Sequence, residues 1–456
     1  MPVSGECRYP KGNVLYRRLK RSYPRIVRGE GCWLFDSEGN KYLDGSCGAY
    51  VANLGHGVGE VADAMAAQAR RFGYVNGTAF THDAVEELAA EVCAIYGNGL
   101  NKAFFLCSGA DVVEAALKLS RQYWAENGKP AKRKIVSLTP SYHGNSMLAL
   151  SISGRGSYRA LFDGWLLDMP TVPAPYTYRC PCRGKKPECP ACSGKALESA
   201  ILREGPDNVA AFIAEPIGGS STGISVPRPD YFRNIREICD RHKVLFIADE
   251  ILAGLGRTGT WSALEPYGVV PDILLLGKGL GAGCVPLSAM LTSERIVDPL
   301  ARGAGALVHN QTFSHHPVSC AAGVATLRLM KREKMVERAA EMGRKLFERL
   351  QPLAAHPHVG DIRGRGLLAG IEFVADQETR APFPRALKFA ETFTETAMGM
   401  GLVVWPNYGQ AEGGAGDLAM LAPPFVISDA ELDELVRRFG NALEAALKQV
   451  QKGAGA

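Results

Sequence analysis

The chain of 456 residues is 46% hydrophobic and 22% charged, the balance of a globular protein long enough for two or three folding units. A formal net charge of +5, thinly spread, offers no basic stripe to nucleic acid or to an anionic membrane surface. No apolar run nears the roughly 18 residues of a membrane span, and the opening MPVSGECRYPKGN holds no apolar signal segment, so the expected location is the cytoplasm.

In chain order, CWLFDSEGNKYLDG predicts two short strands around a Ser-Glu-Gly-Asn turn. Helical periodicity follows from Val58 to Phe72, and DAVEELAAEVCAIYG predicts a second amphipathic helix closed by Gly97. Short apolar runs then alternate with helical stretches. KAFFLC, KIVSLT, VAAFIAEP, VLFIADE, DILLLGK and LSAMLT predict buried strands, with helices from DVVEAALKLSRQYWAEN and YFRNIREICDRH among them. Such alternation predicts an α/β protein with a mostly parallel sheet and helices on both faces. From about Thr326 the chain turns helix-rich, then offers RGRGLLAGIEF, a helix near Ala386 to Met398, GLVVWP and a final helix from Asp429. The expected division is an N-terminal segment 1–55 packing with the small unit, a large unit 56–325 and a smaller α+β unit 326–456. A cysteine-rich insert at about 176–195 interrupts the large unit.

Chemistry-bearing residues gather where the predicted strands end. After KAFFLC, Ser108, Gly109 and Ala110 precede a helix with Asp111 in its first turn. Small residues there leave backbone N–H groups free for an anion such as phosphate, although an N-cap and a turn explain the same residues taken singly. On that helix Val113, Ala116, Leu117 and Trp124 share a face, and Glu114 and Lys118 are spaced to pair outside. Tyr142 and His143 follow KIVSLT, either as an aromatic shelf for a flat ring or as a half-buried turn. Glu215 ends VAAFIAEP, and Asp249 and Glu250 end VLFIADE. Adjacent strand residues face opposite ways, so only one of the last two faces a given pocket.

Lys278 ends DILLLGK among glycines. An amine in a desolvated site loses pKa and becomes a nucleophile toward aldehydes; the alternative is a lysine reaching from a strand end to water. His309, His315 and His316 cluster in HNQTFSHHP, but no acid or cysteine stands beside them at ligand spacing. Ligands of open α/β sheets sit beyond the carboxyl ends of the strands. A strand-end amine, a strand-end acid, a phosphate-ready helix start and an aromatic shelf are together the parts that a pyridoxal 5′-phosphate site requires.

On the ordered motifs SGADVVEAALKLSR, SYHG, AEPIGG, ADEILAGLGRTG, PDILLLGKGLGAGCVPLSAM and TFSHHPVSCAAG, the sequence resembles the class III (omega) aminotransferases of pyridoxal-phosphate fold type I. The resemblance runs from DSEGNKYLDG and NLGHG to LAPPF. It implies a large, mostly parallel seven-stranded sheet domain beside a smaller α+β domain. It implies Lys278 as the lysine that condenses with the cofactor aldehyde, and Asp249 as the partner of the ring nitrogen. Ser108, Gly109 and Ala110 would hold the phosphate, and Thr312 would reach it from a neighbouring subunit in a homodimer or dimer of dimers. Tyr142 and His143 would lie against one ring face, Ile251 against the other where the family more often has valine, and Glu215 near ring and substrate. The implied reaction moves an amino group from a primary amine or omega-amino acid to a keto acid in two half-reactions. Another reaction on the same cofactor (aminomutase, decarboxylase or racemase) is the alternative, because cofactor motifs do not define the reaction.

Two departures bear on substrate. Many relatives carry an arginine before APP, or shortly before the Gly-Asp leading to it; here Met420 and Trp405 stand at those places. Neither binds a carboxylate bidentately as arginine does. The expectation is a pocket for apolar or neutral amines with Tyr50 and Trp405 as walls, a pyruvate-like acceptor, and Arg363 and Arg365 as the remaining sources of positive charge. The chain has twelve cysteines, of which Cys7, Cys32, Cys47, Cys93, Cys107, Cys239, Cys284 and Cys320 are scattered and read as small core residues. Cys180, Cys182, Cys189 and Cys192 form C-x-C-x6-C-x2-C, which reads as a structural zinc site or as reduced surface thiols. With Arg183, Lys185 and Lys186 the insert also raises a non-enzymatic reading, a nucleic-acid or partner-binding module, which the weakly charged remainder of the chain argues against.

Overall fold

A computed structural model describes residues 10, 12–180, 182, 185–186, 188–411 and 414–454. Three N-terminal strands come first, β1 (Ile26–Glu30), β2 (Trp33–Asp36) and β3 (Lys41–Asp44). The large sheet is built from β4 (Lys102–Leu106), β5 (Lys134–Thr139), β6 (Thr171–Pro173), β7 (Val209–Ala214), β8 (Leu245–Asp249), β9 (Ile273–Leu276) and β10 (Ser288–Thr292). Its order is β4-β10-β9-β8-β7-β5-β6, seven strands, and only β10 runs against its neighbours. β7, β8 and β9 are buried along their whole length, which is why they read as continuous apolar runs rather than alternating ones. The sequence missed β6, whose three residues are too short for a periodicity signal.

Helices cover both faces. The helix Gly109–Glu126 buries Val113, Ala116, Leu117 and Trp124, and the Trp124 indole N–H donates to Ala210 O at 2.8 Å. Its Glu114 and Lys118 do not pair with each other; Glu114 accepts from Ser146 Oγ at 2.7 Å and Lys118 faces His309. Tyr231–His242 lays Phe232, Ile235 and Cys239 on the sheet. A second four-stranded sheet, β11 (Val359–Gly364), β12 (Ala369–Phe373), β14 (Trp405–Tyr408) and β15 (Asp417–Leu421), is antiparallel in the order β11-β12-β15-β14. β13 (Leu402–Val403) pairs parallel with β3, which joins the N-terminal segment to the C-terminal part of the chain. The final helix, Asp429–Ala454, buries Leu432, Leu435, Phe439, Ala442 and Ala446, one helical stripe. The helix Pro317–Arg332 runs unbroken through position 326, where the sequence suggests a change of unit.

The scattered cysteines divide. Cys32, Cys47, Cys239 and Cys320 are buried as expected, but Cys93 and Cys107 are only half-buried and Cys284 is exposed at a turn after β9. Cys7 lies outside the described residues.

Candidate active site

β4, β5, β7, β8 and β9 all point the same way, so their carboxyl ends share one edge of the sheet. Along that edge stand Ser108, Tyr142, Glu215, Asp249 and Lys278, each at or just past a strand end. They line one cavity of about 810 Å³, together with Gly109, Ala110, His143, Ile251, Tyr50 and Trp405. Thr312 is exposed and does not line the cavity of its own chain.

The two adjacent acids of β8 separate as a strand requires. Asp249 faces the cavity, where its Oδ2 lies 2.7 Å from His143 Nδ1 and its Oδ1 accepts from Ile251 N–H. Glu250 turns to the other side and accepts from Ser262 Oγ at 2.5 Å and from Ala263 and Leu264 N–H. His143 therefore has the Asp249 carboxylate as its partner, rather than serving simply as half of a shelf beside Tyr142. Burial alone would lower its pKa, but the hydrogen bond and charge of Asp249 raise it above the ordinary imidazole value. Glu215 accepts from Tyr142 N–H and Gly219 N–H, and burial pushes its carboxyl up to about 7.

Lys278 opens a tight turn, Lys278–Gly281, with a left-handed backbone at φ 42°. A non-glycine residue with positive φ at the end of a buried strand is a strained placement. Burial drives its ammonium pKa down, while the negative charges of Asp249 and Glu215 act in the opposite direction. Opposite, Ser108 caps the helix Gly109–Glu126: its Oγ accepts from Asp111 N–H at 3.2 Å and donates to the Asp111 carboxylate at 2.8 Å. Ile251 fills the space between two glycines. A Cβ on Gly109 would come within 3.2 Å of the Ile251 side chain, and one on Gly277 within 3.1 Å.

Sequence reasoning missed the positive charge in the cavity. Arg155 and Arg17 both line it. The Arg155 guanidinium lies over the Tyr158 ring at 4.4 Å and donates to Asn407 Oδ1; Arg17 donates to Tyr158 Oη at 3.3 Å. Burial would raise the Tyr158 phenol, but these two cations bring it below its ordinary value. Among the described residues no carboxylate pairs with Arg155. The two arginines expected to supply charge are committed elsewhere. Arg363 binds Asp361, Glu372 and the Thr222 carbonyl, and Arg365 lies over the Tyr267 ring. Met420 is fully buried behind Tyr50, whose hydroxyl lies 3.4 Å from its sulfur. No periodicity marks Arg17 or Arg155; the only available signal was a cation in a loop with no acid spaced to neutralise it.

Over residues 17–443 the chain matches the family described as Aminotransferase class-III. It is 36% identical over 435 residues to the uncharacterized aminotransferase YodT of Bacillus subtilis (strain 168), covering 95% of this chain and 98% of that protein. It is 34% identical over 433 residues to the putrescine–pyruvate aminotransferase of Pseudomonas aeruginosa, covering 92% and 91%. The crystal structure of the omega transaminase from Pseudomonas jessenii in complex with PMP superposes with a TM-score of 0.89 at 30% identity, over 97% of this chain and 98% of that one.

A pyridoxal-phosphate-dependent transaminase is what this fold and these likenesses define. The chain belongs to the class III aminotransferase family. The cavity fits the family's cofactor by its donor set: an amine and a carboxylate from neighbouring strands, a capped helix start of small residues, and aromatic walls.

Proposed function

We propose that this aminotransferase passes an amino group from a primary amine or omega-amino acid to a small keto acid such as pyruvate, with donor and acceptor using the same cavity in turn. One observation carries the reading: Lys278, Asp249 and Glu215 come from three strands of one sheet and face one cavity that also holds Arg155. Lys278 is the residue that holds the cofactor through its aldehyde carbon. Asp249 would hold the proton on the ring nitrogen, and His143, whose Nδ1 lies 2.7 Å from Asp249 Oδ2, fixes the carboxylate in place. Ser108, Gly109 and Ala110 hold the phosphate at the helix start, with Tyr142 and Ile251 bounding the ring. When bound, pyridoxal phosphate supplies an electron-withdrawing ring that acidifies the carbon bearing the substrate amine.

Once an incoming amine has taken its place, the freed Lys278 Nζ would accept the proton from that carbon as a neutral amine and give it up again as an ammonium in the same half-reaction, a task for which its lowered pKa suits it. Arg155 pairs with the carboxylate of the acceptor, while Tyr50 and Trp405, 5.7 Å apart between ring centroids, receive the apolar part of the donor. The Pseudomonas aeruginosa relative is named for putrescine and pyruvate, which supports that choice of acceptor. Thr312 sits on an exposed stretch with Val308 and Phe313, which supports a homodimer in which it serves the neighbouring chain's site. None of the described cysteines is joined in a disulfide, which supports a cytoplasmic location, and among the described residues no helix is long and apolar enough to cross a membrane.

The test is a panel of amine donors against pyruvate and 2-oxoglutarate with wild type and Lys278→Ala. Wild type should turn over with pyruvate, and Lys278→Ala should lose the visible cofactor absorbance and at least the roughly 10²–10⁴-fold that a proton-transfer group contributes. A variant that keeps both would remove Lys278 from the mechanism. Rates with 2-oxoglutarate far above those with pyruvate would overturn the acceptor.

A further inference from the structure

The cysteine insert lies away from the cavity, and nothing in the transamination reading uses it. Its four sulfurs nevertheless converge. Cys180 Sγ is 3.2 Å from Cys182 Sγ and 3.6 Å from Cys189 Sγ, and Cys182 Sγ is 3.4 Å from Cys192 Sγ. All four lie within 4.8 Å of one another, and none of them is joined in a disulfide. A tetrahedral zinc ion with Zn–S bonds of about 2.3 Å has S···S edges of about 3.8 Å, and the observed separations, from 3.2 Å up to at most 4.8 Å, bracket that edge. Two disulfides would require only that sulfurs approach in pairs. Here Cys180 and Cys182 each approach two partners, which pairing does not explain.

We propose that Cys180, Cys182, Cys189 and Cys192 bind one structural zinc ion as four thiolates. Soft thiolates in a closed tetrahedral set select zinc over harder cations, and no position is left open for a substrate. Four thiolates around Zn²⁺ carry a net charge of −2, and the same loop holds Lys185 and Lys186 to balance it. Both ends of the loop are anchored. Before it, Arg179 Nε donates to Glu372 Oε1 and Arg179 Nη1 to Arg380 O, each at 2.6 Å. After it, the buried Cys192 sits in the short helix Pro190–Ser193, and Asn234 Nδ2 donates to Ser193 O at 2.8 Å. The ion therefore clasps a loop that leads from the contact with β12 back to the helices on the large sheet.

Metal analysis of the protein purified without chelator should find one zinc per chain, released by a mercurial reagent in step with four thiols. Exchange with Co²⁺ alone should give the intense visible bands of tetrahedral cobalt thiolate. The pair Cys182→Ser with Cys189→Ser should lose zinc, while Cys284→Ser, an exposed cysteine outside the cluster, should keep it. Because wild type alone supplies the stoichiometry and the cobalt spectrum, the proposal stays testable even where the double variant does not fold. One iron per chain, disulfides among these four residues by mass, or four freely titrating thiols without metal would each overturn it.

Discussion

At the scale of single residues, the cavity depends on charges that are held in place by something else. Asp249 is held by His143 and by the Ile251 N–H, and Glu215 by two backbone N–H groups. Arg155 is different: it rests on the Tyr158 ring and Asn407, and among the described residues no acid neutralises it. A hydrogen bond to a charged group contributes about 1.5–3 kcal/mol, or roughly 10- to 150-fold in affinity. Arg155→Met should therefore raise the KM for the keto acid by about that factor, with a much smaller effect on the KM of a neutral amine donor. Equal losses for both substrates in steady-state kinetics would mean that Arg155 only supports the fold. Lys278, Asp249 and Glu215 were legible in the sequence because each ends an unbroken apolar run. The choice of Asp249 over Glu250 rested on the family resemblance alone, since alternation along a strand says they differ without saying which points inward.

The helix Gly109–Glu126 shows what can and cannot be read at the scale of one element. Its buried face and its N-cap follow from spacing alone, and Ser108 caps it as the sequence suggests. The pairing of Glu114 with Lys118 does not form, because tertiary partners, Ser146 and His309, are better placed than a neighbour one turn away. Ser108→Ala removes the cap and should cost about 1 kcal/mol of stability, readable as a lower urea midpoint. If the same helix start holds the phosphate, that variant should also weaken cofactor retention on dialysis. Loss of stability with unchanged retention would leave Ser108 as a cap alone. β6 and the loop arginines escaped notice for a related reason: three residues, or a lone side chain, contain no period to detect.

Across the whole molecule, one buried cluster ties the large sheet's loops to the small unit. Glu372 on β12 is fully buried and pairs with Arg179 at 2.6 Å and Arg363 at 2.9 Å, while Tyr176 donates its hydroxyl to the same carboxylate. Removing one partner from such a set leaves uncompensated buried charge, at about 3–5 kcal/mol. Glu372→Ala should lose that much in urea unfolding, and Glu372→Gln less, because it retains hydrogen bonding. Equal and small losses would show that water already reaches the arginines. The strand–helix alternation predicted six of the seven strands of the large sheet, but contacts between distant segments, such as β13 with β3, lie beyond any local pattern. The wedging of Ile251 between Gly109 and Gly277 has a consequence for how this protein's descendants can vary. Three stretches far apart in the gene meet at one crowded point, so a new side chain at either glycine requires the Ile251 side chain to give by a few tenths of an ångström or to be replaced by a smaller one. Trp405, on the wall of the same cavity, takes no part in those contacts, so a change there leaves the three-way fit untouched.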